Sequence, residues 1–307
     1  MNKLLTLLFI MAMYTACLVG CDTTYLTEKD STASIQSSNQ PSGITTDKTN
    51  SEQNLDEKEE KVDIKKLKSV FGFSDMSGKY LIVWKDYKNI KNPNGIEKAI
   101  GDDGNILSIR FLKVQISNEK NNNRELSNNF HNLDGYIYEI TQGNAIPNNS
   151  YYLVNEKEFN TKAIVKTEQA GNANTDKKIV SRIEEIKKIK VSQCWTISNV
   201  NPEKYICVVV FERQNDDLLV NLAYITPEQI IFKDYSSKYD IDIDSALSNN
   251  DISPNMFKIL FVAHTNEGIL FAVSHIDYES IESNLMIEAN GKFKDINIGE
   301  VRYTAPL

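Results

Sequence analysis

The chain has 307 residues, a formal net charge of −8 and 41% hydrophobic residues. An acidic chain with no basic stripe is a poor binder of nucleic acid, and it gains no attraction to an anionic membrane surface. About 245 residues follow a polar amino-terminal stretch, enough to bury a sizeable core as one large domain or two small ones.

Met1, Asn2 and Lys3 form a short region with one positive side chain, and Leu4 to Ala16 run almost wholly apolar. About 13 such residues make a signal-peptide core, whereas a helix that spans the hydrocarbon needs about 20. Leu18, Val19, Gly20 and Cys21 follow. This tetrad resembles the lipobox of bacterial lipoproteins, in which aliphatic and small residues precede a cysteine. The resemblance covers residues 1–21. It implies cleavage between Gly20 and Cys21, acylation of the Cys21 thiol and residence on the outer face of a cell membrane. Each buried CH₂ of the acyl chains adds roughly 0.8 kcal/mol of membrane affinity. Asp22 resembles the inner-membrane retention signal of lipoproteins in two-membrane bacteria. Residues 21–62 are rich in Ser, Thr, Asn, Gln and charge. Such a segment buries too little surface to offset its ordering entropy, so a disordered tether is expected, with a mean span of roughly 35 Å.

The folded domain is expected over residues 63–307, beginning near Asp63, where Ile64, Leu67 and Val70–Phe71 recur at helical spacing. Strands are expected at 79–84, at 106–116 after the turn signal Asp102-Asp103-Gly104-Asn105, and at 136–140 and 151–154 as a hairpin. The polar stretch 118–129 reads as a mobile loop. A short strand is expected at 163–167. Residues 171–175 (GNANT) read as a break and a candidate subdomain boundary. A helix follows, capped by Thr175 or Asp176, with Ile179, Ile183 and Ile186 on its apolar face. Strands return at 191–198, 205–211, 218–225 and 229–233, then at 257–263, 269–274 and 285–288. The stretches YICVVVFERQNDDLLVNLAYI and FKILFVAHTNEGILFAVSHI resemble one another as strand, turn and strand. Together these elements describe a β-rich α+β fold, built from antiparallel hairpins and meanders with one or two helices.

Of the four cysteines, Cys194 and Cys207 lie in the mature domain, on the two arms of a hairpin turning at Asn199–Pro202. A turn centred between Val200 and Asn201 sets them opposite one another, at a separation that a slightly strained disulfide spans. Asp240, Asp242, Asp244 and Asp251 have the alternate spacing of a calcium loop, although Ser245 stands where the sharp turn wants Gly. Tyr136 and Tyr138 share one strand face and offer a candidate aromatic row for a ligand, while aromatic pairs on strands more often serve packing. His264 and His275 fall on one hairpin, His264 facing Ile269 and His275 facing Lys258, roughly 20 Å apart and too far for one metal. His131 stands alone in a loop segment.

No nucleophile elbow, phosphate loop, dinucleotide fingerprint or zinc motif is present. No cofactor is implied. The leading expectation is a non-catalytic, membrane-tethered binding protein of the cell envelope, with an envelope protein, peptide or glycan as its partner. Two alternatives stand beside it. One is a hydrolase of envelope polymer, which needs paired carboxylates in a cleft. The other is a self-protection lipoprotein that intercepts a toxic peptide.

Overall fold

A computed structural model describes residues 60–305 except Pro202. The expected signal peptide, the Leu18–Cys21 tetrad and nearly all of the expected tether lie outside the described residues. The described residues form one compact unit, and it is β-rich, antiparallel and built from meanders, with two α-helices. Among the described residues no helix is long and apolar enough to cross a membrane.

Six strands close an antiparallel barrel: β1 (Phe71–Ser74), β2 (Tyr80–Val83), β3 (Lys98–Gly101), β4 (Asn105–Gln115), β5 (Gly135–Gln142) and β6 (Ser150–Val154), in the order β1-β2-β5-β4-β3-β6. Strand alternation explains its two surfaces. Leu81, Ala99, Leu107, Tyr138, Tyr151 and Leu153 point inward and fill the barrel, while Phe73, Ile82 and Ile137 point outward under Phe130 and Leu133. The expected hairpin of residues 136–140 with 151–154 does not form. β5 pairs with β2 and β4, and β6 pairs with β1 and β3. Closure explains the difference, because each of these strands already has both edges occupied.

The polar loop 118–129 is fastened rather than free. The buried Asn129 side chain donates to Arg124 O at 2.8 Å and Asn121 Oδ1 at 2.9 Å, and Ser127 N donates to Asn148 Oδ1 at 3.0 Å. Loop composition alone hides such internal satisfaction of polar groups.

The remaining strands are β7 (Ile164–Val165), β8 (Glu168–Asn174), β9 (Val191–Asn201), β10 (Lys204–Phe211), β11 (Asp217–Ile225), β12 (Ile230–Lys238), β13 (Phe257–His264), β14 (Ile269–Ile276), β15 (Ser280–Ala289) and β16 (Lys292–Tyr303). They make one ten-stranded sheet ordered β7-β13-β14-β15-β16-β12-β11-β10-β9-β8. The two similar stretches of sequence therefore become two meanders set back to back, joined where β12 runs parallel to β16 at Phe232 and Lys292. The sheet curls. Val208 and Leu222 from one meander share a core with Val262 and Phe271 from the other. Its two ends, β7 and β8, are consecutive pieces of chain separated only by Lys166 and Thr167. Residues 171–174 thus belong to β8, an edge strand inside the compact unit.

The outer faces of the curled sheet are covered in two ways. Helix α1 (Lys177–Lys187) lies on the first meander, over Cys207, Val209, Ala223 and Phe232. Asp176 caps it by accepting from Lys178 N at 2.7 Å. Ile179, Val180 and Ile183 face the sheet, but Ile186 is exposed. The stripe continues at Lys187, whose ammonium lies 4.4 Å over the Phe232 ring and reaches Asp234 at 2.6 Å. The second meander backs onto the barrel through Phe261, Ala263, Leu270 and Leu285 against Phe71, Ile100, Tyr152 and Phe159. The short helix α2 (Ala246–Asn249) follows the segment that carries Asp240, Asp242 and Asp244.

Candidate functional site

The turn between β3 and β4 reaches out of the barrel into the seam between the two ends of the curled sheet. Asp102, Asp103 and Gly104 all have positive φ, at 48°, 61° and 89°. Asp tolerates that region better than most residues because its short side chain bonds locally, and Gly has no Cβ to strain. At Gly104 a Cβ would lie 3.0 Å from Ile164 Cγ2, so the tip has no room for a larger residue. The tip is held by backbone bonds. Asp103 N donates to Ile259 O at 2.9 Å and Gly104 N to Leu260 O at 2.8 Å. These carbonyls sit at a register shift in β13 between Ile259 and Phe261. Thr167 Oγ1 donates to Asp103 O at 2.6 Å, and Ser198 Oγ to Asp103 Oδ1 at 2.7 Å.

Burial pushes the Asp103 carboxyl up, against the lowering effect of its bonds from Ser198 and Thr167. A raised folded pKa favours the protonated form. The associated stability is present in acid and lost as pH rises through that pKa. Asp103→Asn keeps the left-handed backbone and the Ser198 bond while removing the charge. We expect it to unfold at higher temperature than wild type near pH 7.5, with the difference closing toward about pH 3.5, below the ordinary carboxylate range. Thermal melts across pH check this. A variant that melts lower at every pH would contradict it.

Behind the tip runs a chain of hydrogen bonds. Tyr151 OH donates to Asp102 Oδ2, and Asn149 Nδ2 donates to Asp102 Oδ1 at 2.6 Å. Lys258 Nζ donates to Asn149 Oδ1 at 2.8 Å. Burial, and then the Asp102 charge, hold the Tyr151 hydroxyl protonated well above the usual phenol range. Burial pulls the Lys258 ammonium down; Asp102 opposes that pull and Arg302 adds to it. Arg302, on β16, is 1% exposed and is the largest fully buried side chain. It joins barrel and sheet by donating to Asn148 O, Asn148 Oδ1, Ser150 Oγ and Glu125 O, and it lies over the Phe73 ring at 4.1 Å.

Asp102, Asp103, Asn149 and Lys258 border a cavity of about 470 Å³ between barrel and sheet. Asp102, Asp103, Asn149 and Lys258 supply polar lining, and Ile146, Ile197, Ile259, Ile276 and Ile281 supply aliphatic walls. The volume falls within the roughly 300–1,000 Å³ of small-molecule sites. Its charged lining is one lysine and two adjacent carboxylates. No His or Cys lines it, Ser274 Oγ is paired with Ser283 Oγ at 2.7 Å, and Ser150 Oγ accepts from Arg302. Lys258 stands directly opposite Ser274 across the β13–β14 ladder.

The residues singled out from the sequence lie elsewhere. Tyr138 is fully buried inside the barrel, where its OH donates to Pro93 O at 3.3 Å, and half-buried Tyr136 packs against Tyr87 and Phe111. They are packing devices and form no exposed row. Cys194 and Cys207 are buried free thiols. The hairpin turns later than expected, so that Cys194 faces Val209 and Cys207 faces Thr196, a diagonal pair on one face. The two thiols hydrogen-bond one another. Thr175 and Thr196 hydroxyls lie 3.6 Å from Cys207 Sγ.

Asp240, Asp242, Asp244 and Asp251 do not converge. Asp240 Oδ1 accepts from Asp242 N, and Asp251 Oδ2 accepts from Tyr278 OH at 2.9 Å. Among the described residues no group of three or more His, Cys, Asp or Glu is placed to hold a metal. His264 faces Ile269 as expected, but the β13 bulge shifts His275 opposite Phe257 instead of Lys258. His275 packs between the Tyr235 and Phe257 rings, burial pulls its imidazole down, and its Nε2 has no hydrogen-bond partner. His131 is exposed beside Phe130.

The site residues that sequence reading missed are Lys258, Asn149 and Arg302. Lys258 carried one signal, a lone charge beside the apolar run of β13. Compared with protein-family models, with curated proteins and with solved structures, the chain has no match.

Proposed function

We propose that this chain is a membrane-anchored lipoprotein of the cell envelope whose exported domain binds a small ligand in the cleft between barrel and curled sheet, without transforming it. The observation that carries the binding reading is the cavity itself. It is preformed, with aliphatic walls, and its polar groups are fixed by hydrogen bonds to one another. The anchor rests on the residues before and at Cys21.

Two measurements test the two halves. Cys21→Ala is expected to abolish fatty-acid labelling of the chain and to move it from the membrane fraction to the soluble fraction or medium. Wild-type-like retention without acyl label would remove the anchor. For the cleft, native mass spectrometry of protein gently extracted from its host is expected to show a bound small molecule. Ile276→Trp, which fills the cavity, should lose it. An adduct that survives this substitution places binding elsewhere.

A further inference from the structure

We infer that the cleft takes a free α-amino acid with an aliphatic side chain, its carboxylate on Lys258, its ammonium toward Asp102 and Asp103, and its side chain among Ile146, Ile276 and Ile281. This rests on the cleft-binding reading above and names its ligand class.

The first support is charge of both signs inside one small cavity. Lys258 is the cation among its lining residues, and Asp102 and Asp103 are the carboxylates. Of the three ammonium protons of Lys258, one goes to Asn149 Oδ1. An ammonium donates three bonds, so two remain for an acceptor within the cavity. Asp102 is not an ion-pair partner of Lys258; its two oxygens accept from Tyr151 and Asn149. A carboxylate accepts about four bonds in all, so Asp102 retains capacity toward a donor.

The second support is that the potential does not suit a singly charged guest. A lone carboxylate would meet Lys258 but also feel the two Asp side chains. A lone amine would meet the Asp pair but feel Lys258, with Arg302 behind it and Glu125 beside Arg302. A zwitterion satisfies both ends, and its aliphatic side chain has Ile146, Ile276 and Ile281 to pack against, with Phe257 the single aromatic residue in the lining. Fixed polar partners also make such a site selective, because an analogue lacking one charge leaves a buried group unpaired.

The test uses the mature protein, with L-leucine, leucinamide (no carboxylate) and 4-methylpentanoate (no ammonium) as probes, read by calorimetry and by NMR shifts of cleft residues. Leucine should bind at least about tenfold more tightly than either analogue. Lys258→Gln should weaken leucine by about tenfold and leave leucinamide no weaker, or tighter, because it also removes the charge that opposes a lone ammonium. That pattern does not arise from a merely structural lysine, and a thermal melt confirms that the variant folds. If the three probes shift cleft resonances with equal affinity, the zwitterion is overturned and the cleft stands. If none perturbs the cleft, the ligand class is overturned, and the native mass measurement decides the cleft independently.

Discussion

Replacing Arg302 by Met lowers the unfolding free energy by about 3–5 kcal/mol, the largest loss expected from a single surface-remote polar change in this chain. The guanidinium is nearly inaccessible, and its Nε and both terminal nitrogens donate to oxygens of Glu125, Asn148 and Ser150. Without it, the Glu125 and Asn148 carbonyls and Ser150 Oγ lose these donors, and Asn148 Oδ1 keeps only the one from Ser127 N. Asn148 also has positive φ, at 63°, a conformation that the Arg302 bonds help to hold. For a folded unit of this size each kcal/mol moves the melting temperature by roughly 2–4 °C, so a fall of about 6–20 °C follows. Arg302→Lys should recover little, because a single ammonium does not reproduce the planar fork. Differential scanning calorimetry of both variants measures the effect. A fall of under about 2 °C for Arg302→Met would mean that water replaces the guanidinium at no cost.

Phe261→Ala should cost about 3–5 kcal/mol. The ring is fully buried where the curled sheet meets the barrel, 5.8 Å from the Tyr152 ring and 5.5 Å from the Phe159 ring. Truncation removes both aromatic contacts and leaves a cavity that β-strands on either side have little freedom to fill. Because Phe261 belongs to the second meander and Tyr152 to the barrel, the damage should appear on both sides. Hydrogen exchange should accelerate in β6 and β13 together, while β10 and β11, covered by α1, change least. Acceleration confined to β13 would show that barrel and sheet do not share stability across this contact.

The strands that could be read from sequence were those with their own local signal. β4, β10, β11, β13 and β14 are apolar runs bounded by turn residues, and α1 has a capping Asp176 with isoleucines at helical spacing. Asp102-Asp103-Gly104-Asn105 was legible as a turn for the same reason, and so was His264 opposite Ile269, since a short polar turn sets that register. β3, β8 and β16 lack such signals. β8 carries Gly171 and Asn172 in left-handed conformation, which reads locally as a break.

What the amino acids determined alone was a β-rich body with its principal strands and helix; each depends on neighbours in the chain and on periodicity. Tertiary structure decided strand order, the diagonal placement of Cys194 and Cys207, the bulge that moved His275, and the cleft. Asp102, Asn149, Lys258 and Arg302 come from different strands and loops, and they meet because barrel closure and sheet curling leave a seam that one hairpin tip enters. No local rule encodes such a meeting, because burial and hydrogen-bond satisfaction are properties of the whole packed chain.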